Sequence, residues 1–301
     1  MNNIFIITLV IITIGHILKR LNIIKENEGE TLSKLLINLT IPALLFSNFC
    51  QAELDAKLAL MPLIAILYNL LIIAVGMVIF RNCTGKLKGM LVMLGPVGNG
   101  LFFFPLVEAM WGSQGLVYFG MYDIGNAFTL FCISYYIANY YANEEGKIDY
   151  RIVGIKMLKS APLMTYFLVI IIKLIGLQIP EIIIQVTQTI SKANLPLSFI
   201  LFGLYLDFSF TYDYIKNILK VITIRYVLGL AIGITLLFYL PFPDLPRYII
   251  LCALILPTAA VLIPYALEFN YDVKFVAAVS NITIIISFFL LWVIAGRLSL
   301  L

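Results

Sequence analysis

Apolar residues run along this chain in ten long stretches. Each is separated from the next by a few Gly, Pro, Asn and charged positions. The stretches cover roughly 4–20, 30–50, 58–80, 88–110, 115–141, 154–176, 182–206, 216–240, 247–268 and 273–297. Runs of about 17–25 apolar residues cross a bilayer as helices. The pattern therefore predicts an all-α polytopic membrane protein with ten transmembrane helices. The first stretch, Ile4 to Leu18, carries its basic residues Lys19 and Arg20 after the apolar segment and has no A-x-A-like cleavage site. It reads as a retained helix and not as a signal peptide.

Two stretches are punctuated. Gly95-Pro96-Val97-Gly98-Asn99-Gly100, followed by Pro105, interrupts the fourth, and Leu256-Pro257-Thr258 with Pro264 interrupts the ninth. Proline lacks the amide donor and clashes with the preceding turn, so a helix opens there. In lipid, opened backbone survives only where protein buries it or where it lines a polar cavity. Interrupted segments in matching positions of two halves point to a transporter's binding site. Both breaks are expected to face each other.

Ten spans divide as five plus five, residues 1–145 and 146–301. An odd number per half makes any internal repeat inverted. Internal similarity accompanies that division. Asn38-Leu39-Thr40-Ile41-Pro42 in the second span is matched by Asn194-Leu195-Pro196 in the seventh. Trp111-Gly112 then corresponds to Phe269-Asn270, and Asp123 stands opposite Asn281.

Composition agrees with the membrane reading. The 301 residues are 62% hydrophobic and 12% charged, against about one quarter charged in soluble domains. The longest polar stretch, Asn143 to Arg151, is too short to fold alone. The net charge of +4 reports orientation and not nucleic-acid binding. Fifteen Lys and Arg, among them Lys86, Lys147 and Arg225, fall to the side of the loops after odd-numbered spans. Four, Lys57, Lys173, Arg247 and Arg297, fall to the other. This asymmetry predicts a multi-pass protein of the cytoplasmic membrane with both termini outside. Four scattered cysteines without CxxC and a single histidine, His16, support neither a disulfide framework nor a metal site, and no cofactor is called for. There is no phosphate loop for ATP-driven transport.

Few residues could carry chemistry. Asp123 is a carboxylate inside the fifth span, where insertion costs roughly 2.5–3.5 kcal/mol, so it faces a bundle interior or water. Asn126 shares its helix face. The pair serves proton coupling or holds backbone opened at the prolines. Asn99, between Gly98 and Gly100, either binds an anion together with freed amides or caps the second half-helix. Lys192 is an anion-site candidate if the seventh span begins near Glu181, and a snorkelling surface residue if it begins near Thr187. Ser280, Thr283 and Ser287 share one face of the tenth span, a pattern typical of helix packing. An intramembrane aspartyl protease would need a second buried Asp, and the remaining Asp residues fall at span ends or in loops. An enzyme is not expected.

Four segments, in order, resemble the auxin efflux carrier family. They are Asn38 to Phe46, Asn99 to Gly112 with its N-x-x-x-x-x-P-L-x-x-x-x-W-G pattern, Leu195-Pro196-Leu197 through Gly203, and Leu256-Pro257 through Asp272. The resemblance covers essentially the whole chain. It implies two inverted five-helix repeats, with helices 4 and 9 broken and crossing at mid-membrane to form the substrate site. It also implies export or exchange of organic anions: auxin in plants, malate, malonate and other carboxylates in bacterial relatives. Asn99 falls on the family's crossover asparagine. The chain departs from the pattern at Gly100, Phe103 and Phe104.

The expectation is a secondary transporter of small organic anions, by efflux or exchange, working by alternating access with proton, sodium or no coupling ion. Gly98, Asn99, Gly100, Pro105, Pro257, Thr258, Asn38 and Asn194 would surround the substrate. Asp123, Asn126 and Lys192 would serve coupling or structure. Spans 2 and 7 could support a homodimer contact. A membrane-embedded sensor that binds without transporting is the competing reading.

Overall fold

The computed structural model describes residues 2–25, 28–52, 55–142, 151, 154–155, 158–206 and 215–298. The polar stretch after residue 142 and the boundary expected at 145/146 lie outside the described residues. Every regular element among the described residues is helical. In chain order these are α1 (Asn2–Arg20), α2 (Glu28–Gln51), α3 (Lys57–Ile79), α4 (Gly85–Met93), α5 (Gly100–Ala142), α6 (Ala161–Leu174), α7 (Glu181–Ser191), α8 (Asn194–Tyr205), α9 (Ile215–Tyr239), α10 (Asp244–Ala253), α11 (Leu262–Glu268) and α12 (Val273–Leu298). Six of them, α1, α2, α3, α5, α9 and α12, are long and apolar enough to cross a membrane. α6 is a shorter apolar helix.

The other apolar stretches are divided, and the sequence says why. α4 stops before Gly95-Pro96 and the chain resumes as helix at Gly100. α10 stops before Pro257 and helix resumes at Leu262. The seventh stretch is divided at Lys192–Ala193 into α7 and α8, just before Pro196. In α2 the turn Leu36–Thr40 is wound as a π-helix immediately before Pro42. The wider turn accommodates a ring that would otherwise strike the carbonyl one turn back. α5 is helical on both sides of Gly112, whose φ of 59° and ψ of −153° divide it into arms 100–111 and 113–142.

Packing sorts the helices into two groups. α1 lies on α8, and α2 lies on α6 and α7. At the α1–α8 contact, a Cβ on Gly203 would run into the Ile12 carbonyl, and one on Gly15 into the Ile200 carbonyl. Close backbone approach through small residues is how helices associate where lipid removes the hydrophobic drive. α3 packs against α5 and α9, α4 against the end of α5, α9 against α10, and α11 against α12. α5 and α10 join the groups at the centre, where Phe102, Phe103, Phe104, Phe119 and Tyr122 are fully buried.

Candidate functional site

The two interruptions touch. Val97 and Thr258 form an antiparallel bridge, the Gly98 amide donates to the Pro257 carbonyl at 3.3 Å, and the Asn99 side-chain amide donates to the Thr258 carbonyl at 3.1 Å. Backbone opened inside an apolar bundle must find partners for its polar groups, and here nearly every partner can be named.

The first break is fastened by amides. The Val97 N–H donates to Asn69 Oδ1 at 3.0 Å, and Asn69 Nδ2 donates to Asn126 Oδ1 at 3.0 Å. Asn126 Nδ2 donates to Asp123 Oδ1 at 3.2 Å, while Tyr166 Oη donates to Asp123 Oδ2 at 3.3 Å. A continuous relay thus runs from the opened backbone, through α3 and α5, to a carboxylate contacted from α6. Gly98 is required twice in this arrangement. Its φ is 141°, and a Cβ there would overlap the Asn126 amide.

The second break is fastened by hydroxyls. The Thr258 N–H donates to Thr283 Oγ1 at 3.1 Å. Ser287 Oγ donates to the Ile255 carbonyl at 2.7 Å, and Tyr68 Oη to the Leu254 carbonyl at 3.0 Å. Tyr226 Oη bonds both the Thr283 carbonyl and Ser287 Oγ at 2.8 Å. The Thr283–Ser287 stripe of the last helix packs, as its spacing suggested, and what it packs against is opened backbone.

Arg225 joins the two breaks. It is 1% exposed, within α9. Its Nη1 donates to the carbonyls of Leu94, Gly95 and Pro96 at 2.7, 2.7 and 2.6 Å, and its Nη2 to that of Leu256 at 2.8 Å. The charge pattern of the sequence groups Arg225 with the inner-loop cations. That grouping is corrected here, which leaves fourteen against four in the charge asymmetry. A positive charge inside an apolar helix was the available signal: Arg225 lies nine residues beyond Lys216, about 14 Å along a helix. Asn69 was also missed, and is likewise a lone polar group at the middle of a span.

On the other face of the crossing, Gly98, Asn99, Gly100, Asp123 and Asn126 line a cavity of about 120 Å³. Ala259 to Val261 of the second break, Ile37 and Ile41 of α2, and Ser160 and Pro162 at the start of α6 complete its walls. Asn99 caps the first arm of α5, its Oδ1 accepting from the Phe102 amide at 3.3 Å, so the capping role considered from sequence is present. Pro257 and Thr258 contribute carbonyls to the crossing and do not line this cavity.

The remaining candidates lie elsewhere. Asn38 is exposed and donates to the Lys34 carbonyl at 2.8 Å, a bond within its own helix that turns it away from the site. Asn194 is buried between α2 and α8, where its Oδ1 accepts from Thr40 Oγ1 at 3.2 Å. Lys192 is exposed at the α7–α8 junction, at the end of a helix that begins at Glu181, and does not line the cavity. Pro105 is buried inside α5, five residues beyond the cavity's glycine.

A second hollow, about 600 Å³, opens among the α2–α3, α5 and α9–α10 turns and is lined by Asn48, Gln51, Asp55, Lys57, Gln114 and Tyr118. Buried aromatic rings pack between α2, α5 and α6. Phe49 follows wall residue Asn48 and meets Tyr166 edge-on at 5.5 Å, while Phe103 and Phe104 meet Phe119 at 4.6 and 4.7 Å.

Sequence comparison gives this architecture its context. The family model described as membrane transport protein, of the auxin efflux carrier type, matches residues 3–295. The chain belongs to that family. An uncharacterized transporter of Methanothermobacter thermautotrophicus is 26% identical over 284 residues, covering 93% of this chain and 92% of the relative. An uncharacterized transporter of Methanocaldococcus jannaschii is 25% identical over 297 residues, covering 93% of each. As a member of this family the chain is a multi-pass membrane transport protein, and the contact between its two helix breaks gathers buried polar groups.

Proposed function

We propose that this family member is a secondary active transporter of small organic anions, working by alternating access through ten spans arranged as two inverted five-helix repeats. The observation that carries the reading is the pairing of two helix breaks beside a cavity lined by a helix N-terminus, an asparagine amide and a carboxylate. Half-helix N-termini offer unsatisfied amides and a positive dipole end to anionic groups. A cavity of about 120 Å³ holds the liquid volume of roughly four waters, the scale of a small carboxylate and well below a drug-sized pocket.

Chain punctuation supports the inverted repeat. Positive-φ residues follow α1 and α6, namely Asn22 and Gly176, and others end the second half-helices of the breaks, namely Gly112 and Asn270. The latter two are the residues that internal sequence similarity pairs. Asn69 of α3 and Asn126 of the second arm of α5 serve the first break, and Arg225 of α9 with Thr283 and Ser287 of α12 serve the second, although Tyr68 of α3 also reaches the second and Arg225 the first.

Transport would then proceed by movement of a scaffold (α1, α2, α6, α7, α8) against the crossing group. The cavity lies against the scaffold at Ile37, Ile41, Ser160 and Pro162, on the side that the charge asymmetry assigns to the cytoplasm. Asp123 faces the same cavity as the arriving anion. Two negative charges there repel, and a proton on Asp123 removes the repulsion, which makes proton-coupled movement or one-for-one exchange the favoured mode. Uptake of radiolabelled malate and malonate into proteoliposomes, with and without a pH gradient, tests the proposal. Saturable accumulation supports it. Binding without accumulation would instead make the protein a sensor.

A further inference from the structure

Arg225 has no part in the anion site, yet its two terminal nitrogens bind both breaks, while its buried Nε finds no partner. Its two terminal nitrogens gather four backbone carbonyls, three from the end of the first half-helix and one from the end of the second. Each helix C-terminus carries roughly half a negative charge. Two of them converging amount to about one, which one guanidinium neutralises. No carboxylate pairs with Arg225 among the described residues, whose ion pairs include the short-range Lys34–Glu30 and Arg247–Asp244. The carbonyls themselves are the counter-charge.

Opened carbonyls and half-helix C-termini are the ligands with which broken-helix transporters hold a sodium ion. We propose that the Arg225 guanidinium permanently fills the cation site of this crossing. A tethered charge then does the work of a bound ion. The protein takes no sodium there, and the sodium alternative for coupling is excluded at the crossing. The identity of the coupling ion rests on the transporter reading given above. Occupancy of the cage does not, because it is a property of the folded protein at rest.

The cage has the features of an occupied site. It draws on both breaks, so its occupant holds them in register. It is closed to solvent, since Arg225 is 1% exposed. Its occupant is also positioned by neighbours: the Tyr68 hydroxyl lies 3.4 Å from the Arg225 carbonyl, and Tyr226, the next residue, is bonded to Thr283 and Ser287. Arg225 is therefore a positioning residue for the crossing, not a substrate ligand.

The test is thermal unfolding of the purified full-length protein in sodium, potassium, lithium or choline chloride at equal ionic strength. It reads no transport, so failure of the uptake assay would leave it untouched. The wild-type midpoint should be the same in all four salts. Arg225→Ala should unfold at lower temperature in choline and regain about 2 °C or more in at least one small cation or in methylguanidinium, because a ligand that binds the native state stabilises it. Arg225→Lys, which places an ammonium in the cage, should depend less on added cation than Arg225→Ala does. A wild-type protein stabilised by sodium over choline would overturn the proposal, as would an Arg225→Ala protein indifferent to every cation and to methylguanidinium. If Arg225→Ala yields no folded protein, the wild-type comparison together with Arg225→Lys decides in the same way.

Discussion

Replacing Asn69 by Ala is the sharpest test of how the first break is held. The side chain is fully buried and does two things at once: it accepts from the Val97 amide and donates to Asn126. The two losses differ in size. Side-chain hydrogen bonds between membrane helices average only about 0.6 kcal/mol, because alternative partners exist in the unfolded-in-membrane state. The Val97 N–H has no such escape, since its own helix has ended and its neighbours at the crossing are taken. An unsatisfied buried donor costs about 1–3 kcal/mol. The backbone term therefore dominates, and Asn69→Ala should destabilise by about 2–4 kcal/mol in all. Thermal or denaturant unfolding in detergent measures the sum, and a double-mutant cycle with Asn126→Ala isolates the side-chain part. The relay predicts a coupling energy of at least about 0.5 kcal/mol between the two sites. A stability loss below about 0.5 kcal/mol for Asn69→Ala, or strictly additive effects in the cycle, would refute the claim that this asparagine carries the opened backbone.

Other outcomes follow from the same contacts. Gly98→Ala must place a methyl on the Asn126 amide at φ 141° and should abolish uptake. Gly112→Ala meets open space and should cost the strain of a backbone region that only glycine readily adopts, about 1–3 kcal/mol, with uptake retained. Asn99→Ala should weaken anion affinity roughly tenfold or more, the worth of one hydrogen bond to a charged group, read from the concentration dependence of uptake. Asp123→Asn keeps the shape and removes the titrating group, so exchange should persist while dependence on a pH gradient disappears; a pH profile like the wild type's would show that Asp123 is only structural. Single cysteines at positions 57 and 247 should react with impermeant reagent from outside, and one at 86 should not.

Much of the crossing could be read from the chain because prolines and glycines write helix breaks into sequence. Gly95-Pro96 and Pro257 marked both interruptions, and Asn99, Asp123 and Asn126 stood out as polar residues in apolar stretches. All three line one cavity. What could not be read is instructive in physical terms. Arg225 binds only backbone carbonyls, and carbonyls have no sequence signature, so an arginine near the start of a span was assigned to a loop. Asn38 looked equivalent to Asn194 by motif, yet the π-turn at Leu36–Thr40 puts Thr40, and not Asn38, against Asn194. One extra residue in a helical turn rotates every later side chain, and no pattern of apolar spacing reveals where it falls.

The two buried charges of the crossing divide it into unlike halves. Arg225 meets the ends where helices stop and carbonyls point outward, while Asp123 lies beside Asn99, where a helix begins and amides point outward. Each charge opposes the dipole end it faces, so both are stabilised in the absence of any ligand. They differ in what can replace them. The guanidinium is enclosed and always charged. The carboxylate borders a cavity and can be neutralised by a proton, and an anion in that cavity then takes over its place beside the amides. In the proposed transport cycle the arginine side of the crossing is accordingly constant and the aspartate side variable. Variants of Arg225 should therefore alter stability in every state of the cycle, whereas variants of Asp123 should alter which ions move together. Thermal midpoints measured with and without substrate, set beside pH-gradient dependence for the same two variants, separate these roles. An Asp123→Asn protein that is as unstable as Arg225→Ala and unchanged in coupling would mean that both charges are structural.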